Sequence, residues 1–177
     1  MINISCNDDF LRLKILDLFY QKNFFFNLHF TNQYFFKIKI HKSESFLEFL
    51  IEDEKFKFIL PGNFNEMFEK IFNKISNISI TIQKNDYFPF KQLIKNSEKK
   101  NLLLTDIQNT IMCNLLLNSE IGIKKIDLIK IVWPNDKEIF LNKLDTHLTN
   151  LKKNLNNEIG YDFKFSSKSG IIKLAID

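Results

Sequence analysis

Residues 141–155, LNKLDTHLTNLKKNL, decide the fold of the C-terminal part of this chain. Leucines recur here at spacings of three and four residues, which places them on one stripe of a helix that faces a core. The stripe consists of Leu141, Leu144, Leu148, Leu151 and Leu155. The opposite face carries cationic and hydrogen-bonding groups and no acid: Lys143, Thr146, His147, Asn150, Lys153 and Asn154. This composition suits a DNA groove, but the helix taken alone favours an ordinary solvated face, so the neighbouring segments must decide.

Two predicted helices precede this segment and a predicted hairpin follows it. Thr105 and Gln108 form a capping-box pattern that opens the first helix. Pro134 ends the second helix, because proline cannot continue it without strain. Residues 161–177 contain two strand-like runs joined by a Ser-Gly pair. Three helices followed by a hairpin predict a winged helix-turn-helix, in which the third helix enters the major groove of DNA.

Residues from about 102 to 176 resemble the winged-helix effector domain of OmpR/PhoB-type response regulators. Three motifs of that family match in order and in register. They are the opening of the first helix at Leu104–Met112, the end of the second helix at Leu128–Trp133 and the recognition helix at Leu144–Leu155. The resemblance implies a DNA-binding regulator of transcription, of the kind that serves two-component phosphorelays and binds direct repeats as a dimer.

The resemblance places the expected DNA-binding residues on the third helix and on the wing. They are Lys143, Thr146, His147, Thr149, Asn150, Lys152, Lys153 and Lys168. Asn150 stands where the family often has a base-reading arginine, and an asparagine amide prefers adenine whereas arginine prefers guanine. Lys168 stands in for the wing arginine, although lysine lacks the planar guanidinium fork.

The N-terminal half reads as an α/β layer of strand, helix, strands, helix and strand, and it resembles a shortened, degenerate receiver domain. Asp8 and Asp9 follow the first strand, where receivers keep an acidic pair for Mg²⁺. Leu60–Gly62 and Asp86–Phe90 resemble two further receiver motifs. Lys57, however, occupies the expected place of the phospho-acceptor aspartate, so we expect no aspartyl phosphorylation. The alternative interpretation of the acidic pair is a helix N-terminus.

The expected architecture is α+β in two domains. Residues 1–95 form the receiver-like α/β domain, residues 96–101 a polar linker, and residues 102–177 the winged helix-turn-helix with three helices and a β-hairpin wing. The net charge of +4 is modest, so any electrostatic footprint requires local segregation of lysine onto one face.

Chemistry beyond binding is not expected. The two cysteines are far apart in the sequence, and no metal motif, glycine-rich phosphate loop or nucleophile elbow is present. The sequence therefore predicts neither an enzyme nor a cofactor. It has no signal-peptide pattern and no apolar run approaching the ~18 residues of a membrane span, which predicts a cytoplasmic protein without a membrane partner.

The prediction is a transcriptional regulator that places residues 141–155 in the major groove of double-stranded DNA, independently of aspartyl phosphorylation. The alternative is a protein-interaction module whose winged helix docks RNA polymerase or a partner regulator, with the loop at residues 134–140 as the contact. The apolar excess of residues 24–60 predicts a homodimer, and a single-chain core explains that excess equally well.

Overall fold

The computed structural model describes residues 2–21, 36–98, 100–136, 141–160, 162 and 164–175. The chain forms two compact units, Met1–Ser76 and Asn77–Asp177. The apolar run FFFNLHF at residues 24–30 also predicts a strand, and it lies outside the described residues.

The first unit has one sheet and two helices among its described residues. The strands are β1 (Ile2–Cys6), β2 (Phe36–Lys42), β3 (Phe46–Ile51) and β4 (Glu54–Ile59), in that spatial order. Helix α1 (Asp9–Gln21) follows β1, and helix α2 (Phe64–Ser76) follows β4. The β1–β2 pair is parallel, whereas β2–β3 and β3–β4 are antiparallel.

The core of the first unit lies on one face of this sheet. Strand β3 alternates between buried and half-buried residues, and Leu47 and Phe49 are among the buried ones. Helix α1 contributes Phe19, whose ring centroid lies 5.2 Å from that of Phe68 in α2. The period-two pattern of β3 and the helical pattern of α2 therefore meet in one apolar layer, as in an antiparallel sheet that is covered on one side.

This topology differs from that of a receiver. A receiver has a doubly wound parallel sheet, whereas the described sheet of the first unit contains one parallel pair. The reason is local: the β2–β3 and β3–β4 connections are short turns, and a parallel pairing needs a crossover of a dozen or more residues. Helix α1 lies in such a crossover, between β1 and β2.

The second unit begins with an antiparallel meander and continues as a winged helix. The meander consists of β5 (Ile80–Ile82), β6 (Asn85–Phe88), β7 (Leu93–Asn96) and β8 (Asn101–Leu103), with a 3₁₀ turn at Pro89–Lys91. Next come α3 (Asp106–Leu117), β9 (Ile123–Lys124), α4 (Lys125–Val132) and α5 (Leu141–Ile159). Strands β10 (Phe165–Lys168) and β11 (Ile171–Leu174) form the hairpin, and the small sheet has the order β10-β11-β9. The three helices followed by a hairpin are confirmed.

The division between the units lies at Ser76 and Asn77 rather than at residues 96–101. In the segment that the sequence predicts as a linker, Asn96 ends β7 and Asn101 begins β8. The Asn96 backbone amide donates to the Lys100 carbonyl over 3.1 Å. Polar residues that suit a linker suit a tight turn equally well. Residues 86–90, which resemble the end of a receiver, lie in β6 and the 3₁₀ turn of the second unit.

A buried polar contact joins the meander to the winged helix. Tyr87 of β6 is fully buried, and its hydroxyl donates to Asn109 Oδ1 of α3 over 2.5 Å. The Asn109 amide in turn donates to the Pro89 carbonyl over 3.0 Å. Burial raises the pKa of the Tyr87 hydroxyl and of the nearby Cys113 thiol, so both stay protonated at neutral pH. The buried hydrogen bonds of Tyr87 and Asn109 thus help to make the meander part of the second unit.

Helix α3 begins as the sequence predicts. The Thr105 hydroxyl accepts from the Gln108 amide over 3.3 Å, and Gln108 Oε1 accepts from the Thr105 amide over 3.0 Å. This reciprocal capping box satisfies two of the backbone donors that open the helix. Ile111 and Leu115 then face the core.

Candidate nucleic-acid interface

Buried leucines hold helix α5 against the rest of the second unit. Leu144, Leu148, Leu151 and Leu155 are at most 1% exposed, and Ile159 extends the stripe by one turn. The predicted leucine stripe is therefore confirmed except at its first member, Leu141, which is 45% exposed at the start of the helix. Because these leucines fix the rotation of α5 about its axis, they also decide which residues face outward.

The outward face is a ridge of four predicted residues, Thr146, Thr149, Asn150 and Lys153. At about 100° per residue they lie opposite the leucine stripe, and all four are exposed. The Thr146 and Thr149 hydroxyls each donate to the carbonyl four residues earlier, over 2.9 and 2.8 Å. Both threonines thus present an acceptor lone pair and a methyl group outward. Asn150 and Lys153 have no partner within the described part of the chain.

Lys143 and His147 lie at one edge of this ridge, beside Trp133. The Lys143 ammonium lies 2.7 Å from Asp136 Oδ2 and 4.4 Å from the centroid of the Trp133 ring. The His147 ring centroid lies 5.3 Å from that of Trp133. Partial burial, together with the positive charge of Lys143, lowers the pKa of His147. His147 is therefore neutral at pH 7 and offers a hydrogen bond rather than a charge.

Lys152 projects from a flank of α5 and not from its ridge. It lies six residues after Thr146, which places the two side chains ~120° apart around the helix. Lys152 is exposed. Thr149, three residues earlier, is its nearest neighbour among the predicted residues of the helix. Asp145 is an exposed acid of α5 and is paired with the largely buried Lys125 of α4 over 2.6 Å.

The wing turns at Ser169 and Gly170, which have φ angles of 51° and 75°. Two positive φ angles in a two-residue loop are typical of a type I′ hairpin turn. The Gly170 carbonyl accepts from the Lys125 amide over 2.8 Å, which ties the wing to the start of α4. Lys168 precedes this turn and is exposed, on β10 and not on α5.

Strand register reveals a basic surface on the wing that the sequence does not predict. Ile171 pairs with Lys168 on one side and with Lys124 on the other, so the three side chains share the outer face of the small sheet. Lys173 is two residues from Ile171 on the same face. Finding Lys124 from sequence requires the β9–β11 pairing, and β9 has only two residues.

Two residues of the outward ridge are also missing from the predicted set. Asn142 lies four residues before Thr146, and Asn157 four residues after Lys153, so both continue the ridge by one turn. Both are exposed. Their four-residue spacing from Thr146 and Lys153 would have added them to the predicted DNA-binding residues, once the leucine stripe had fixed the rotation of α5.

The acidic pair of the first unit caps a helix. Asp8 Oδ1 accepts from the Leu11 amide over 2.8 Å, and Asp8 Oδ2 lies 2.5 Å from the Lys42 ammonium. The hydrogen bond from Lys42 lowers the pKa of Asp8. Asp9 Oδ1 lies 3.3 Å from Nε of Arg12. The two interpretations of the acidic pair are a receiver's Mg²⁺ site and the N-terminus of a helix. The contacts of Asp8 and Asp9 match the helix N-terminus.

Two absences hold for the described residues. Histidine, cysteine and acidic side chains in the described ranges form no group of three or more that could hold a metal ion. Within the same ranges, no helix has both the length and the apolar character needed to cross a membrane.

Comparison with known proteins gives distant structural likenesses. Neither a protein-family model nor a curated protein matches this sequence. The DNA-binding domain of Escherichia coli CadC is 14% identical at a TM-score of 0.49, over 58% of this chain and 95% of that domain. The C-terminal domain of the nisin resistance regulator NsrR, a lantibiotic response regulator, is 25% identical at a TM-score of 0.42, over 53% of this chain and 94% of that domain.

A third likeness extends over nearly the whole chain. It is to a member of a family of streptococcal redox sensors evolved from two-component response regulators, 11% identical at a TM-score of 0.44, over 99% of this chain and 67% of that one. All three TM-scores are below 0.5, so the winged-helix description of the second unit rests on its own helices, strands and register.

Proposed function

We propose that the second unit binds double-stranded DNA as a transcriptional regulator of the OmpR/PhoB type. Helix α5 lies in the major groove, and the wing contacts the adjacent backbone. The observation that carries the proposal is the outward ridge of α5, where Thr146, Thr149, Asn150 and Lys153 are presented together. A helix that is held rigidly by its buried side keeps such a ridge in one orientation, as base reading requires.

The chemistry of the ridge suits particular base edges. The Asn150 amide matches the donor and acceptor of adenine in the major groove, and the threonine methyl groups suit the methyl group of thymine. Lys153 and the wing lysines Lys124 and Lys168 supply charge for phosphates, which positions the protein without reading sequence. The exposed Lys143–Asp136 ion pair contributes about 0–1 kcal/mol to folding stability. A DNA phosphate can therefore replace Asp136 as the partner of Lys143 at little cost.

The second candidate is the protein-interaction module. The observation that favours it is a set of exposed apolar side chains near the start of α4. Ile121 is 71% exposed, Ile126 46% and Ile171 38%. Such residues suit a protein surface better than a phosphate backbone. A docked RNA polymerase or partner regulator would cover them. Residues 137–140 of the predicted contact loop lie outside the described residues.

Variants of the ridge and the wing distinguish the two candidates. We expect Asn150→Ala to alter base preference by about 1–3 kcal/mol at one base pair, because one bidentate reading is lost. We expect Lys153→Ala and Lys168→Ala to weaken binding to all duplexes alike and to lower the slope of log K against log salt by roughly one unit each. Selection from a randomised duplex pool, followed by titrations across salt concentrations, measures both effects.

Lys84→Ala is the matched control for these charge changes. Lys84 is exposed in the β5–β6 turn of the same unit, and its loss changes the net charge equally. We expect this variant to bind as the parent does. If the Asn150, Lys153 and Lys168 variants all bind like the parent, the protein-interaction module becomes the better description.

We further propose that the first unit does not switch by aspartyl phosphorylation. Asp8 is occupied as a helix cap and ion-pair partner, and Lys57 lies 3.9 Å from the centroid of the Phe46 ring at the acceptor's expected place. Incubation with a small phosphodonor and Mg²⁺ should leave intact mass and DNA affinity unchanged. An acid-labile gain of one phosphoryl group that disappears in Asp8→Asn, Asp9→Asn or Asp53→Asn would contradict this proposal.

Other features of the proposed regulator stay predictions. They are a cytoplasmic location and self-association through the first unit. Phe10 and Leu13 of α1 are 73% and 57% exposed, and they lie three residues apart on one helix face, which is consistent with an apolar contact there. The receiver-like origin of the first unit is not needed for the proposed function.

A further inference from the structure

Among the described residues, the sheet of the first unit has one face that neither α1 nor α2 covers. Phe56 of β4 lies on the helix side, because the Lys74 ammonium of α2 is 5.9 Å from the centroid of its ring. Side chains alternate along a strand, so Lys55 and Lys57 point to the opposite face. Both are exposed, and Ile59, two residues further on, is 78% exposed.

Strand register brings lysines from two strands onto this open face. Leu50 of β3 pairs with Lys39 of β2 on one side and with Lys55 of β4 on the other. Glu48 pairs with His41 and Lys57 in the same way. Together with the exposed Lys37, this gives a surface that we name the lysine face: Lys37, Lys39, Lys55 and Lys57. Paired side chains share a face, so the four charges lie on one surface.

Charge is strongly segregated in the first unit. Residues 1–76 contain ten basic and ten acidic side chains, and are therefore neutral as a whole. The lysine face holds four of those ten basic residues, and Glu48 is its one acid among the described residues of β2, β3 and β4 that point this way. Glu48 lies 3.6 Å from Lys55 and offsets a single charge. A neutral unit with one cationic face attracts a polyanion by local potential.

We propose that the lysine face binds the phosphate backbone of duplex DNA without reading sequence. This inference rests on the proposed function of the second unit, which brings duplex DNA to the same chain. Covalent linkage gives the face a high effective concentration of DNA phosphate once α5 is bound. Four lysines suffice to add several phosphate contacts, each of which releases counterions.

The shape of the face favours a nucleic-acid backbone over an acidic peptide. Peptides dock in grooves or on strand edges, whereas this surface is the broad side of three hydrogen-bonded strands. The apolar pocket of the first unit is on the other side, between Leu47, Phe58 and Met67. Base stacking is disfavoured as well, because the ring of Phe46 on this face lies 3.9 Å from the Lys57 ammonium and 6.4 Å from the ring of His41. Of these three kinds of binding, contact between lysine and DNA phosphate is the one that this face favours.

Paired charge removal in the full chain tests the proposal. The variants are Lys37→Gln/Lys39→Gln and Lys55→Gln/Lys57→Gln, and the probe is a labelled random-sequence duplex titrated between about 50 and 200 mM salt. Each double variant should lower the slope of log K against log salt by roughly two units, since each phosphate contact contributes about 0.9. The matched control is Lys14→Gln/Lys70→Gln, which removes two exposed charges from α1 and α2 and should keep the parent slope.

The possible results separate this inference from the proposed function. If the lysine-face variants keep the parent slope while Lys153→Ala and Lys168→Ala lower it, the inference is overturned and the function of the second unit stands. If the lysine-face variants lower the slope while Lys153→Ala and Lys168→Ala keep it, the inference is supported and groove binding by α5 is contradicted. If a double variant fails to fold by circular dichroism, Lys39→Gln and Lys57→Gln replace it, each with an expected fall of roughly one unit.

A membrane surface is the competing polyanion. Vesicles of phosphatidylserine and phosphatidylcholine serve as the second probe for the same variants. If the lysine-face variants lose vesicle binding while their duplex slope equals that of the parent, the face is a lipid-binding surface and the proposal is wrong. If the lysine-face variants bind vesicles as the parent does but have a lower slope of log K against log salt for the duplex, the proposal is supported.

Discussion

Leu148→Ala is expected to lower the free energy of unfolding of the second unit by about 2–5 kcal/mol. Leu148 is 1% exposed in the centre of the buried stripe of α5. Truncation removes apolar contacts and leaves a cavity that helix α5 cannot close, because its neighbours Leu144 and Leu151 hold it in place. Denaturant unfolding followed by fluorescence measures the loss, since Trp133 is the single tryptophan of the chain and lies in the second unit.

Leu141→Ala is the matched control, with the same chemical change on the same helix. Leu141 is 45% exposed at the first residue of α5, so the expected loss is below about 1 kcal/mol. Duplex binding by Leu148→Ala should fall at temperatures where the variant is partly unfolded and should approach that of the parent in the cold. Equal losses for the two leucine variants would show that the rotation of α5 inferred from burial is wrong.

Gly122→Ala is expected to destabilise the wing by about 2–5 kcal/mol through two separate effects. Gly122 has a φ of +82°, a conformation that costs an L-residue about 1–2 kcal/mol. A methyl group there would also lie 2.6 Å from Ile171 Cγ2 and 2.9 Å from the Ile172 carbonyl oxygen. Neither atom can move away easily, because Cγ2 is attached to the branched Cβ of Ile171 and the other atom belongs to the backbone. Strand β11 must therefore shift at a further cost of about 1–3 kcal/mol.

Gly170→Ala separates the two effects. Gly170 has a φ of +75°, and a methyl group there would meet nothing within 4 Å. This variant therefore carries the backbone cost alone, about 1–2 kcal/mol. Thermal unfolding followed by Trp133 fluorescence should rank the parent first, Gly170→Ala second and Gly122→Ala last. Equal destabilisation of the two variants would exclude the close approach of β11 as a contribution.

The Gly122 variant also connects stability to the proposed function. Strand β11 lies between β9 and β10, so a shift of β11 displaces Lys124 and Lys168 relative to one another. We expect Gly122→Ala to weaken duplex binding even where it remains folded. Gly170→Ala should bind more nearly as the parent does. Titration of the folded variants at low temperature, with folding checked by fluorescence, provides this comparison.

Local patterns were enough to predict the second unit in outline. Leu144, Leu148, Leu151 and Leu155 recur with the helical period and are buried as predicted. Thr105 with Gln108 is a self-contained capping box. These features depend on residues within one or two helical turns, where backbone geometry links sequence spacing directly to position. The three-helix and hairpin order, and with it the candidate recognition helix, followed from such short-range signals.

Long-range pairing decided the rest. The polar residues 96–101 have the composition of a linker. Long-range contacts such as the buried hydrogen bond from Tyr87 to Asn109 make the preceding strands part of the second unit. The wing lysines Lys124 and Lys173 and the lysine face of the first unit likewise depend on which strands are neighbours. A shift of one residue in register moves every side chain to the other face of a sheet, so spacing along one strand does not determine these surfaces. Sequence alone therefore determined the helices and their buried sides, whereas the division of the chain and its cationic sheet faces were decided by tertiary structure.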